Sequence, residues 1–157
     1  MHNQQAFLAG NTGAVIVAAG FGSRMGSGIP KQFQALGGRP VLLWSVEVML
    51  QCEDIAAIAV VIPASERDRA KEFLPSNSRI LLVDGGTTRT ESVRNGLKAL
   101  EGRGLKNVLI HDGARPGLSQ PVVHELIAAL ADADAAAPAL PVTDALKDNR
   151  AGLKSVS

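Results

Sequence analysis

The stretch Ala14-Val15-Ile16-Val17-Ala18-Ala19-Gly20-Phe21-Gly22-Ser23-Arg24-Met25-Gly26, with Pro30-Lys31 close behind, decides how this chain is read. The apolar residues Ala14 to Val17 predict a buried strand that empties into a glycine-rich loop carrying two fixed cations. Lacking a Cβ, glycine lets backbone N–H groups close on an anion. Arg24 and Lys31 on the same loop can neutralise the charge of a polyphosphate. A dinucleotide fingerprint accepts Gly20 and Gly22 but requires a small residue where Met25 stands, and a P-loop requires a hydroxyl after its lysine, which Lys31 lacks. Both of those readings fail. What remains is a loop that holds a nucleoside triphosphate, or a glycine-rich surface turn with solvated charges, and the rest of the chain has to decide.

Outward from this loop, apolar runs alternate with helical patterns. Strands are expected over residues 14–19, 57–62, 80–83 and 108–110, and a fifth over 135–142, interrupted by Pro138 and Pro141. Helices are expected over 40–51, with proline in the first turn, over 65–73, over 90–100 with Val93, Leu97 and Leu100 on one face, and over 121–130 behind a possible Ser119 cap. Strand, helix, strand, helix predicts an α/β fold with a mainly parallel sheet flanked by helices. The carboxyl ends of parallel strands face one edge, where ligands bind. Gly20, Asp84-Gly85-Gly86 and His111-Asp112-Gly113-Ala114-Arg115-Pro116 each follow a strand, so three unusual loops converge on one crevice.

Composition bounds the function. The 157 residues, 46% hydrophobic and 20% charged, suit one globular domain. A net charge of +1 provides no global field for nucleic acid or an acidic membrane, so anion binding has to be local. The few aromatics, Phe7, Phe21, Phe33, Phe73 and Trp44, argue against base-stacking platforms. Cys52, the only cysteine, excludes an intrachain disulfide and fits a reducing, cytoplasmic compartment; beside Met49, Leu50 and Ile55 it reads as a buried inert thiol. Residues 1–13 read as a flexible tail without the basic start or apolar core of a signal peptide, and no run is long enough to span a membrane.

Two loops carry further chemistry. Asp112 beside a polyphosphate site suits Mg²⁺, a hard cation that prefers carboxylate and phosphate oxygens; the alternative is an ion pair with Arg115 that closes the turn. His111 reads as a satisfied packing residue. The segment Asp84 to Ser92 offers backbone groups and hydroxyls that can read the edge of a base, or else a plain turn in which Thr88 or Thr90 caps the next helix.

Taken together, A-A-G-F-G-S-R-M-G…P-K-Q-F (18–33), V-D-G-G…R…S-V…G-L (83–97), H-D-G-A-R-P (111–116) and P-V-T-D-A-L-K (141–147) resemble the 2-C-methyl-D-erythritol 4-phosphate cytidylyltransferase family over nearly the whole chain. The resemblance implies a Rossmann-like three-layer sandwich of the nucleotide-diphospho-sugar transferase type, with residues 14–157 forming a cytidylyltransferase domain. It implies that CTP binds with Mg²⁺, that methylerythritol phosphate attacks the α-phosphate, and that pyrophosphate leaves, a step of non-mevalonate isoprenoid biosynthesis. By position, Arg24 and Lys31 stabilise transition-state charge. Ala18, Ala19, Gly20, Gly22, Gly86, Ser92 and Asp112 bind the nucleotide, Asp112 also serves the metal, and Arg115 and Thr143 face the sugar phosphate.

Two departures accompany the resemblance. Ala145 stands where the family often has a threonine that helps hold the acceptor. The family's domain also continues beyond the point where Ser157 lies, into a second metal-binding aspartate, acceptor-positioning cations and a dimer-forming arm, so the domain is expected to be incomplete, with weakened nucleotide binding and little turnover. The complete protein is expected to be a homodimer, in some relatives fused to a 2-C-methyl-D-erythritol 2,4-cyclodiphosphate synthase. The rival readings are a ribitol-5-phosphate cytidylyltransferase, a non-catalytic CTP-binding module, and a dinucleotide-dependent dehydrogenase. Met25 and the lack of an acidic residue after Ile62 speak against the last.

Overall fold

Apolar runs and amphipathic segments alternate in space as they do along the chain. The computed structural model describes residues 10–20, 29–141, 146–148 and 154–156. In order, β1 (Thr12–Val17) is followed by a one-turn 3₁₀ helix (Lys31–Phe33), a small hairpin of β2 (Ala35–Leu36) and β3 (Arg39–Pro40), then α1 (Val41–Gln51) and β4 (Ile55–Ile62). After α2 (Arg67–Phe73) come β5 (Ile80–Asp84), α3 (Arg89–Leu100), β6 (Asn107–Asp112) and α4 (Gln120–Ala129). A separate antiparallel ladder pairs β7 (Leu146–Asp148) with β8 (Lys154–Val156). The main sheet runs β5-β4-β1-β6 with every pair parallel.

Burial on both faces explains the unbroken apolar runs of β1 and β4. Along β4, Ile58, Val60 and Ile62 join a core with Leu42, Val46 and Met49 of α1, Ala70 of α2 and Val123 of α4, while Ala57, Ala59 and Val61 join Val15 and Leu100 on the α3 side. Helices therefore cover both faces, giving three layers. Ile55 breaks the alternation and faces the first core, because the ladder slips between Thr12 and Gly13 and leaves Ala56 as an extra residue.

The expected elements shift in places. β1 opens at Thr12, two residues early, and Thr12 is fully buried. β6 runs on through His111 and Asp112, which were expected in the loop beyond it. Ser119 occupies the cap position of α4, but its side chain makes no capping hydrogen bond. The expected fifth strand is a correction: residues 135–141 form no strand and are exposed throughout, and position 142 lies outside the described residues. Pro138 and Pro141 lack the N–H a ladder needs, and the alanines at 135–137 and 139 bury too little to hold the segment down, leaving Leu140 exposed as well.

The packing of α3 yields a test. A Cβ built on Gly96 would lie 2.5 Å from Val15 Cγ1 and 3.0 Å from Val61 Cγ2. Both neighbours are fully buried and stiff at χ1. Gly96→Val is therefore expected to destabilise the fold by about 1–3 kcal/mol despite valine's better helix propensity. Urea unfolding measures it, and an unchanged midpoint would contradict this packing.

Candidate functional site

β1, β5 and β6 all end at the carboxyl edge of the sheet, and a cleft of about 680 Å³ opens between their exits. The loops meet closely. Gly85 N–H donates to the Ile62 carbonyl at 2.8 Å, and a Cβ at Gly85 would fall 2.2 Å from that of Ala19, so no larger residue fits there without moving the backbone. Of the residues singled out by sequence, Ala18, Ala19 and Gly20 line the cleft from just past β1, Lys31 from the 3₁₀ turn, Gly86 from the loop after β5, Ser92 from the first turn of α3, Asp112 from the end of β6 and Arg115 from the loop beyond it. Arg24, Gly22 and Thr143 lie outside the described residues, as do Met25 and Ala145.

The turn that carries Lys31 is bolted down on both sides. Phe33 is buried and meets Phe73 edge-on at 5.9 Å. Gln32 is 3% exposed, and its side-chain amide donates to the carbonyls of Ala18 and Gly20, the latter at 3.0 Å. With its neighbours so committed, Lys31 stays exposed at the cleft. Gln32 thus fastens the start of the glycine-rich loop, a role that P-K-Q-F shows only once the register of the turn is known.

At the second loop Thr88 is the cap. Its hydroxyl accepts from Glu91 N–H at 3.1 Å, and the Glu91 carboxylate accepts back from Thr88 N–H at 3.3 Å, closing a capping box. The Thr87 hydroxyl, then the Thr87 and Thr88 amides, hold the Glu91 carboxyl below its ordinary range. Ser92 is buried; its hydroxyl accepts from Gly86 N–H at 3.1 Å and donates to the Thr88 carbonyl at 2.9 Å. Of the two sequence readings, the capped turn is the one these contacts display, with Ser92 and Gly86 shaping the wall of the cleft.

Asp112 pairs with Val17 at the end of the β1–β6 ladder, which carries its carboxylate to the cleft. Its Oδ1 accepts from Arg89 Nε at 3.1 Å and Nη2 at 2.9 Å, and its Oδ2 meets Arg115 Nε at 3.3 Å. The pairing with Arg115 follows the second sequence reading; the pairing with Arg89 was missed. A signal for it existed: a cation at the first position of a helix faces the positive end of the dipole, an unfavourable placement unless an anion sits beside it. Three cations, Lys31, Arg89 and Arg115, line the cleft with one carboxylate, so it favours a polyanion. Behind it, His111 Nε2 lies 3.0 Å from the Arg115 carbonyl and 3.1 Å from Ser45 Oγ. Burial pushes His111 below its ordinary pKa, outweighing the carbonyl contact and the Asp112 charge that pull it up. Its ring nitrogen is taken up by these two contacts, in line with the packing role read for it from the sequence.

Comparison with known proteins agrees across sequence and structure. The family model described as 2-C-methyl-D-erythritol 4-phosphate cytidylyltransferase matches residues 12–156. A protein of that name from Cereibacter sphaeroides is 47% identical over 137 residues, covering 86% of this chain and 60% of the relative. A bifunctional enzyme IspD/IspF from Rhodobacter capsulatus is 46% identical over 139 residues, covering 88% of this chain and 35% of the relative. Among solved structures, 4-diphosphocytidyl-2C-methyl-D-erythritol synthase from Anaerococcus prevotii superposes with a TM-score of 0.81 at 31% identity, over 94% of this chain and 62% of that one. The chain thus spans about three-fifths of the length of the single-function relatives. Among the described residues, no helix is long and apolar enough to cross a membrane.

Proposed function

Because this chain belongs to the 2-C-methyl-D-erythritol 4-phosphate cytidylyltransferase family, we propose that it is the nucleotide-binding part of an enzyme that transfers CMP from CTP to 2-C-methyl-D-erythritol 4-phosphate in isoprenoid biosynthesis. The observation that carries this reading is the cationic cleft at the carboxyl edge of the sheet, where Lys31, Arg89, Asp112 and Arg115 meet the β1 exit.

The reaction asks little covalent chemistry of the protein. A phosphate oxygen of the acceptor forms a bond to the α-phosphorus of CTP, and the bond from that phosphorus to the bridging oxygen breaks, releasing pyrophosphate. The nucleophile is already an anion, so no general base is needed, in keeping with a half-buried His111 whose Nε2 is taken up by a carbonyl and a hydroxyl. Catalysis then rests on positioning and charge neutralisation. Lys31, with Arg24 by resemblance, stabilises charge on the transferring phosphates, and Arg115 lies toward the acceptor. The backbone of Ala18, Ala19, Gly20, Gly22 and Gly86, with Ser92, frames the base, and Thr143 helps hold the acceptor.

Mg²⁺ fits the donor chemistry here. Asp112 presents one carboxylate, partly exposed, to the cleft, and Mg²⁺ is commonly held by one or two carboxylates together with substrate phosphates and water. Bound there, the ion would supply charge to the phosphates; Arg89 and Arg115 neutralise Asp112 until then. The same reading takes the complete protein as a cytoplasmic homodimer.

The experiment is to incubate the full-length gene product with CTP, Mg²⁺ and each of two acceptors separately. Pyrophosphate release with methylerythritol phosphate, and little with ribitol 5-phosphate, is expected. Release with ribitol phosphate alone would overturn the acceptor, and CTP binding without release under either condition would overturn the transferase.

A further inference from the structure

At the far end of the sheet from the cleft, three side chains with metal-binding donors gather. Cys52 and Asp54 lie in the turn between α1 and β4, and His124 projects from α4. β4 separates them from the carboxyl edge by eight residues, on the order of 25 Å at about 3.3 Å per residue. Cys52 Sγ and His124 Nδ1 are 4.0 Å apart, His124 Nδ1 and Asp54 Oδ2 are 3.7 Å apart, and no pair of the three donor atoms exceeds 4.8 Å.

We propose that Cys52, Asp54 and His124 form a three-ligand site for a zinc-class divalent cation, independent of the chemistry in the cleft. The contacts are poorly explained as hydrogen bonds. One imidazole nitrogen faces both the thiol and the carboxylate; 3.7 Å is beyond N–H···O range, and 4.0 Å is at the outer limit for sulfur. An ion serves all three at once. Placed between donors no more than 4.8 Å apart, it lies within roughly 2.8 Å of each, and small χ rotations close that to the usual ~2.3 Å for sulfur and ~2.0 Å for nitrogen. Thiolate, imidazole and carboxylate together suit Zn²⁺ and disfavour Mg²⁺ and Ca²⁺, which take oxygen ligands.

The turn is held before any ion arrives. The Arg79 guanidinium donates to the carbonyls of Leu50, Cys52 and Ile55. The Asp54 carbonyl accepts from Thr12 N–H at 3.2 Å, and that of Glu53 from Gly10 N–H at 3.1 Å. α4 is tied to α1 close by, where Gln120 donates to Gln51 at 2.9 Å. Cys52 is fully buried while Asp54 and His124 are exposed, so the ion enters from solvent and keeps water in its fourth position. On binding, the thiol gives up its proton to solvent. The ion then fastens α4 to the turn that opens β4.

The test titrates the metal-stripped full-length protein with Co²⁺ as a visible stand-in for Zn²⁺. One equivalent is expected to produce thiolate-to-cobalt charge-transfer absorption that Zn²⁺ abolishes and excess Mg²⁺ does not. Cys52→Ser is expected to lose the band. Since that change falls in the core, His124→Gln and Asp54→Asn, both at exposed positions, provide the second arm: each is expected to weaken Co²⁺ binding and to remove the rise in Tm that Zn²⁺ gives the unaltered protein. Absence of the band, its persistence in Cys52→Ser, or unchanged binding in both exposed variants would overturn the site. Cytidylyl transfer is not the readout, so this result and that of the acceptor assay stand apart.

Discussion

Lys31→Ala is expected to lower the turnover of the full-length enzyme by about 10²–10³-fold, the usual effect of removing one preorganised donor from a site where charge develops. The structure makes this a clean substitution. Lys31 is exposed, while Gln32 and Phe33, which fix the turn, are left untouched. Stability is therefore expected to change by less than about 0.5 kcal/mol, as for most surface replacements. Steady-state kinetics with CTP and methylerythritol phosphate, alongside urea unfolding of the same sample, separate the two effects. Turnover within a few-fold of the unaltered enzyme would remove Lys31 from the phosphate site. Arg24→Ala, resting on the sequence resemblance, is expected to cost as much.

Arg79→Met is expected to have the larger effect on stability, about 3 kcal/mol, with the cleft unchanged. The guanidinium serves three carbonyls in the stretch from α1 into β4, and each acceptor left without a partner on partial burial costs roughly 1–3 kcal/mol, water recovering some of it. Methionine keeps much of the packing of the arginine stem, so the loss reports the hydrogen bonds. The denaturation midpoint should fall with the slope unchanged. A shift under about 0.5 kcal/mol would show that this arginine is not what holds the turn.

The layout of strands and helices was legible because β1 and β4 are buried on both faces and read as continuous apolar runs, while α3 carries apolar residues at helical spacing; the positions it buries are nonetheless Ser92, Gly96 and Leu100, and Leu97, expected on that face, is exposed. From that alternation the parallel sheet and its ligand-bearing edge followed. The segment around Pro138 misled because small apolar residues resemble a strand in composition, whereas the missing N–H groups decide against one. At the cleft, residue types were legible and pairings were not. Asp112 was found from its place in H-D-G-A-R-P, but Arg89 reaches it from 23 positions earlier, a contact that exists only after β5 and β6 take their places in the sheet. Likewise, nothing local to Cys52 points to His124 until α4 packs on α1.

The pairing of Val17 with Asp112 has a consequence for assembly. It joins positions about 95 residues apart, with β4 already claiming the opposite side of β1, so the wall that bears Asp112 depends on the most distant ladder of the main sheet. No early hairpin or helical fragment can present Lys31 and Asp112 together. During synthesis the anion-receiving edge cannot be completed until β6 has left the ribosome, and the nascent chain before that point carries an open flank on β1 for another strand to take.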